Sequence, residues 1–268
     1  SSSAATPIQI NNVGTGDLTL SALNLAFAGH TADWGFSGAP TPPTIIPAGG
    51  NISFNATFTP TVAGARSMTI RITSNDSGVP GTTADIVLNG NGTQGLISVT
   101  APVNFGSINL GSSSAATPIQ INNIGTGDLT ISALNLAFAG HTGDWGFAGS
   151  PTPPTVIPAG GNVSFNATFT PTVAGARSMT IRVTSNDSGV PGTTTDIVLN
   201  GTGLQGLISV TTPVNFGSVN LGSSSAATPI QIDNVGTGDL AVSALNLAFA
   251  GHTGDWGFTG APTPPTVI

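Results

Sequence analysis

The chain has 268 residues, with four Lys+Arg against eleven Asp+Glu, a formal net charge of -7 and 6% charged residues, where an ordinary soluble domain has about a quarter. All four basic residues are Arg, all eleven acidic ones are Asp, and Lys, Glu, Tyr and Cys do not occur. This composition excludes lysine chemistry, disulfides, thiolate catalysis and cysteine-held metals, and with no basic stripe to meet a phosphate backbone it argues against nucleic acid as a partner.

Hydrophobic residues make up 38% of the chain, including 12 Phe and three Trp, enough to fill a core. The remainder is dominated by Gly, Ser, Thr, Asn and Pro. That mixture of strand formers and turn formers predicts an all-β protein. No apolar run reaches the length of a membrane-spanning helix, and no basic segment followed by an apolar one opens the chain, so no membrane insertion is expected in this segment.

The sequence beginning Ser1-Ser2-Ser3-Ala4-Ala5-Thr6-Pro7 returns at Ser112 and at Ser223, a period of 111 residues. Only 13 of the 111 positions differ between the first two copies, and Val13/Ile124, Ile45/Val156, Ile52/Val163, Ile72/Val183 and Ile108/Val219 are exchanges within about a methylene. Ala32/Gly143, Ser37/Ala148/Thr259 and Ala39/Ser150/Ala261 cluster in one stretch, as small-for-small changes do in an exposed loop. A period of this size is a whole domain rather than a solenoid turn.

In the middle copy the strands are predicted by alternation, in chain order. Val103–Leu110 opens the domain and Pro118–Asn122 follows. Leu129-Thr130-Ile131, running to Leu134, comes after the Gly125-Thr126-Gly127-Asp128 turn, which Asn123 shapes by local hydrogen bonding and Gly125 by accepting a positive φ. Pro158-Ala159-Gly160-Gly161 turns into Asn162–Phe169, an unbroken alternation of polar and apolar residues. Arg177–Thr184 places Met179, Ile181 and Val183 inward, and Thr195–Leu199 closes the series after the Gly189–Gly192 turn. Phe105, Ile119, Ile121, Leu129, Ile131, Trp145, Phe147, Phe165, Phe169, Met179, Ile181, Val183, Ile197 and Leu199 are the expected core. About seven short strands at this spacing predict tandem immunoglobulin-like β-sandwich domains.

Five spaced motifs run through the unit: Phe105-Gly106-x-Ile108-x-x-Gly111, Ile121-x-Asn123-x-Gly125-x-x-x-Leu129, Phe169-x-Pro171-x-x-x-Gly175, Ser185-Asn186-Asp187 and Leu199-x-Gly201-x-Gly203. In this order they resemble the bacterial choice-of-anchor D domain, related to hydin-type, or ASH, immunoglobulin-like modules. The resemblance covers the whole 111-residue unit and implies a seven-stranded sandwich in secreted or surface-attached bacterial proteins, with no catalytic residues. Many relatives carry cysteines around the turn from Gly160 to Val163, and this chain has none. The phase of the motifs places residues 1–94 as a repeat lacking its first strand, 95–205 as a complete repeat and 206–268 as the N-terminal part of a third. Thr202–Gly206 becomes the linker, too short for a free coil. The chain reads as a window on a longer periodic polypeptide.

Candidate chemistry is sparse. Each copy has one His, in His30-Thr31-Ala32-Asp33-Trp34 and its equivalents at His141 and His252. It reads either as a His–Asp pair for acid–base or metal work or as a loop histidine beside a core tryptophan, and nothing clusters with it. Asp128, Asp144, Asp187 and Asp196 are the weak calcium candidates. No loop alternates acidic residues in the manner of a calcium-binding loop, so turn capping is the plain reading and no cofactor is expected. Asn51, Asn55, Asn75 and Asn91 open glycosylation sequons of a kind that chance supplies in so polar a chain. Ser150–Thr155 reads as an extended edge or loop rather than a polyproline ligand.

The expected function is structural: repeats joined in a rod, forming the shaft of an extracellular bacterial filament, stalk or adhesin at the cell surface, with copies of itself as partners. The alternatives are an adhesive module that presents the His30–Pro43 loop and its equivalents to a glycan or protein, and a strand-exchanged, pilus-like subunit. Exposure of Trp34, Trp145 and Trp256 separates shaft from adhesive module, because buried rings favour a shaft and open ones recognition.

Overall fold

The computed structural model describes residues 2–247 and 250–268; Ser1, where the repeat register begins, lies outside the described residues. Alternating β-branched and aromatic residues drive the chain into strands, and the only helical segments described are three-residue 3-10 turns. The first compact unit comprises Ser1–Leu96 with Gly125–Asp128, and the second Ile97–Ile124 with Leu129–Ile268.

The first unit contains β1 (Thr6–Asn11), β2 (Leu18–Gly29), β3 (Trp34–Ser37), β4 (Thr44–Ile46), β5 (Asn51–Phe58), β6 (Gly64–Ser74) and β7 (Thr82–Gly92). They form two antiparallel sheets, ordered β1-β5-β3 and β4-β2-β6-β7. Ile8, Ile10, Leu20, Ile46, Phe54, Met68 and Ile70 are buried in one cluster between them.

The second unit holds β8 (Ile97–Val99), β9 (Val103–Asn109), β10 (Thr117–Asn123), β11 (Leu129–Gly140), β12 (Trp145–Ala148), β13 (Thr155–Ile157), β14 (Asn162–Phe169), β15 (Gly175–Ser185) and β16 (Thr193–Leu204). β17 (Ile208–Val210), β18 (Ile232–Asn234), β19 (Ala241–Val242) and β20 (Thr266–Val267) follow. The middle repeat is a sandwich of two sheets, β12-β14-β10-β8 and β13-β11-β15-β16-β9, in which only β9 runs parallel to its neighbour, β16. β17 pairs with β18 and β19 with β20 in two small separate ladders.

The all-β immunoglobulin-like reading holds, and the expected core of the middle repeat is buried at every position except Phe147, which is half-buried and packs against the cluster from its rim. Three readings need correction. The middle repeat has nine strands, because β8, β12 and β13 are too short to show a period. Its last strand continues past Gly201 to Leu204, since β15 and β9 pair with it as far as Gly203 and Leu204, so Thr202–Leu204 is ladder and not linker. Gly125 is absent from the residues with positive φ; a Cβ there would stand 2.3 Å from the Gln94 carbonyl oxygen and 2.5 Å from the Leu96 nitrogen. It is the close approach of another segment that demands glycine.

That approach recurs within the second unit. The Gln205 carbonyl accepts from Thr237 N–H (2.8 Å) and Gly238 N–H (3.0 Å), and Asn109 Nδ2 donates to Asp239 Oδ2 at 3.0 Å. In the first unit the Gln94 carbonyl accepts from Thr126 N–H (3.0 Å) and Gly127 N–H (2.9 Å). The residues that follow each last strand are therefore hydrogen-bonded rather than free. Asn12 and Asn234, the counterparts of Asn123 in the other two copies, each accept from the backbone two residues on and donate to the carbonyl four residues on.

Candidate functional site

The His–Asp–Trp segment recurs in every copy, and its geometry in the first two is internal. β2 delivers His30, a 3-10 turn spans Thr31–Asp33, and Trp34 begins β3. The Asp33 side chain is 2% exposed. It accepts from the Thr61 hydroxyl at 2.6 Å and the Thr61 N–H at 2.9 Å, with Arg66 Nε 3.4 Å away, while its carbonyl accepts from Thr59 N–H at 2.7 Å. In the middle repeat Asp144 holds Thr172 the same way, at 2.7 and 3.1 Å, and Arg177 Nε donates to its Oδ2. Asp144 thus clamps the turn that carries the Phe169-x-Pro171 motif onto the start of β12.

Hydrogen bonds from the Thr61 hydroxyl hold the Asp33 carboxyl below the ordinary carboxylate value against the opposing effect of burial, with Arg66 adding to them. Burial pushes the Asp144 carboxyl up, and the hydrogen bonds from Arg177 and Thr172 outweigh it, so the net direction is again down. Both carboxylates are charged, paired and turned inward. His30 is exposed and its Nδ1 lies 3.2 Å from the Ser67 carbonyl; His141 matches it at 3.1 Å from Ser178. Neither ring forms a hydrogen bond with the aspartate of its own segment.

The structure does not bring the calcium candidates together. Asp144 is held as above, and Asp196 receives both Nε and Nη2 of Arg182 at 2.7 Å, which lowers its pKa. Asp187 Oδ1 accepts from Ile97 N–H at 2.8 Å, and Asp128 sits in the turn before β11. Among the described residues no three His, Asp, Cys or Glu side chains form a group that could hold a metal. The Ser185-Asn186-Asp187 motif has a structural role: Asn186 Oδ1 accepts from Thr130 N–H at 2.7 Å and Ser185 Oγ from Asp187 N–H at 3.2 Å, while Asp187 reaches β8. Sequence reasoning missed the Asp144–Thr172–Arg177 clamp. No local pattern points to it, since Thr172 and Arg177 lie 28 and 33 residues beyond Asp144 with β12, β13 and β14 between.

The tryptophans differ by copy. Trp145 is 9% exposed and packs against Phe169 in a tilted contact (4.6 Å) and Phe105 in a T-shaped one (4.8 Å); Trp34 is half-buried on Phe58 (4.7 Å), and Trp256 is 51% exposed beside Phe216 (5.0 Å). In the repeat whose two sheets are both complete, the ring is core.

Residues 95–201 match the family model described as HYDIN/CFA65/VesB-like, Ig-like domain. The middle repeat is related to hydin-type immunoglobulin-like modules. No curated protein matches the chain. Among solved structures, the ASH/PapD-like domain 7 of human CEP192 is 15% identical, the match covering 42% of this chain and 87% of that one with a TM-score of 0.30. The CsuC–CsuE chaperone–tip adhesion subunit complex of Acinetobacter baumannii is 16% identical over 72% and 90%, with a TM-score of 0.24. The CupB6 tip adhesin from Pseudomonas aeruginosa is 11% identical over 75% and 89%, at 0.28. No helix among the described residues is long and apolar enough to cross a membrane.

Proposed function

We propose that the chain is a stretch of structural repeat from the shaft of an extracellular bacterial filament, stalk or adhesin, in which residues 1–94, 95–205 and 206–268 are successive copies of one module. The finer assignment within the hydin-type relationship is to choice-of-anchor D repeats, on the five spaced motifs, and the partners are further copies of the same module. The observation that carries this reading is what the near-identical repeats spend their few chemical residues on. Asp144, Arg177, Arg182, Asp187 and Asp196 all hold strands and turns of the middle repeat together, and Trp145 is core. The 98 of 111 positions shared by the first two copies (111 less the 13 that differ) then belong to a module that packs and joins, as a shaft of like units requires. The adhesive reading needs an open tryptophan face in the complete repeat, and the burial of Trp145 weighs against it.

Imaging of the native assembly tests the proposal. A rod with a regular axial repeat of one module is the expected result, and isolated particles of a few modules would overturn it.

A further inference from the structure

Strand β9 leaves two hollows on the middle repeat. It runs parallel to β16, and its register slips by one residue between Asn104, beside Asn200, and Ser107, beside Thr202. The slip bulges the strand at Gly106, which sits at φ 73° and where an added Cβ would meet nothing within 4 Å. Bulges of this kind re-aim their neighbours and open space beside a ladder. Here the space is a hollow of about 450 Å³, whose polar lining is Asn104, Ser107, Arg177, Ser178, Asn200 and Thr202. A second hollow, also about 450 Å³, shares Asn104 and lies where the chain passes from β8 to β9 beside β10 and β14. Its polar lining is Thr100, Asn104, Thr117, Gln120 and Ser164, with Gln120 opposite Ser164 in the β10–β14 ladder.

The two linings share one chemistry. Every polar side chain in them except Arg177 is an uncharged amide or hydroxyl, and each of these groups can both donate and accept. Apart from a 3.4 Å contact from Asn200 Nδ2 to Asn104 Oδ1, none of them has a side-chain hydrogen bond among the described residues. No carboxylate lines either hollow, so neither suits a cation. The one guanidinium, Arg177, is already paired with Asp144 and gives little for an anionic polymer to hold. The apolar lining is Pro102, Val103, Pro118 and Ala176, without the aromatic or long aliphatic anchor of a protein interface. What fits is a ligand rich in groups that both donate and accept, and free of charge. Sugar hydroxyls are such groups, and each hollow lies within the range of about 300–1,000 Å³ typical of small-ligand sites.

We propose that the two hollows hold an extended neutral polysaccharide, a stretch of sugar in each, with Asn104 hydrogen-bonded to both. All the polar lining residues but Thr100 stand on paired strands, so their backbones are already fixed and only side-chain rotamers remain to be ordered. With no aromatic ring to stack on the sugar, every contact is a hydrogen bond exchanged with water, and one module binds weakly. Repetition offsets this weakness. Asn104 recurs as Asn215, Gln120 as Gln9 and Gln231, and Ser164 as Ser53, all at the 111-residue period. A long polymer presents its sugars in series, so weak sites on several modules gain avidity wherever the ligand can reach them together. No residue from His141 to Pro154, the loop of the adhesive alternative, lines either hollow. The inference goes beyond the shaft reading and does not depend on it, since a lone module would bind in the same way.

Electrophoresis of the 268-residue chain through native gels cast with dextran, galactomannan or β-1,3-glucan is the test, with alginate as the charged control. The expected result is retardation in at least one neutral gel and none in alginate. The polysaccharide concentration that gives half of the retardation should rise about tenfold in Asn104→Ala, the size of one or two lost hydrogen bonds, and by a similar factor in Gln120→Ala. Both side chains are exposed, so unchanged melting of the variants shows that the fold is intact. Free migration in all three neutral gels overturns the proposal. So does retardation that both variants leave unaltered, or that alginate matches.

Discussion

Arg177 donates from Nε to the Oδ2 of Asp144, a carboxylate the sandwich leaves 1% exposed, whereas Arg66 stands 3.4 Å from Asp33 in the first repeat. The two pairs share sequence and topology and differ in how closely they meet. Removing the arginine of a buried pair leaves its partner charged without compensation. Arg177→Met should therefore destabilise the middle repeat by about 2 kcal/mol, less than for a fully enclosed pair because the guanidinium reaches solvent. Arg66→Met should cost less. Urea denaturation of the two variants compares them directly, and equal losses would show that the shorter contact is not the stronger one.

The same carboxylates set the acid limit. Asp33 and Asp144 titrate below their ordinary value in the folded chain. A group whose pKa is depressed on folding contributes stability above its unfolded pKa of about 3.9, and that stability is lost as pH falls through the lower folded value. Melting temperature should stay level through the mildly acidic range and fall only below about pH 4. A drop that begins near neutrality would show that these carboxylates do not govern the transition.

Phe165 is 3% exposed, opposite Ile119 across β10 and β14. Phe165→Ala should cost about 3 to 5 kcal/mol through lost transfer energy and the cavity left behind. A chemical-denaturation midpoint close to that of the unsubstituted chain would mean that the sheets close over the gap.

Much of this core was legible because its period is local. Asn162–Phe169 alternates without interruption, and β14 has the same bounds. β8 and β13 are three residues long, shorter than any pattern of period two can reveal, and they exist because a longer neighbour offers them a ladder. Trp145–Ala148 read as part of a loop because small residues exchange around it between copies, yet Phe169 and Thr168 across β14 hold it as a strand. Gly125 was recognised as a necessary glycine for the wrong reason, since its constraint lies in Gln94 and Leu96, some thirty residues earlier. The clamp on Asp144 was invisible for the same reason: Thr172 and Arg177 follow it by 28 and 33 residues, and no local pattern links them. What the sequence hid was contact at a distance.

Trypsin reads the ladder from outside. Its four targets, Arg66, Arg71, Arg177 and Arg182, lie on β6 and β15, each paired on both sides, by β2 and β7 and by β11 and β16. Arg71 and Arg182 are further tied to Asp85 and Asp196 and stack over Phe27 and Phe138 at 3.7 and 3.6 Å. A protease needs several residues drawn out as free chain, and freeing a strand with neighbours on both edges means opening the sheet itself, so cleavage should track unfolding rather than surface exposure. Cleavage at Arg177 and Arg182 should be slow and equal. Phe165→Ala should speed both by about a hundredfold or more, because a tenfold change in the open population corresponds to 1.4 kcal/mol. Arg66 and Arg71 lie on the equivalent strand of the first repeat, between β2 and β7, and should likewise be cut only as that sheet opens. Timed digestion with mass spectrometry of the fragments checks the rates, and early cleavage at Arg182 in the unsubstituted chain would mean that β15 opens without the rest of its sheet.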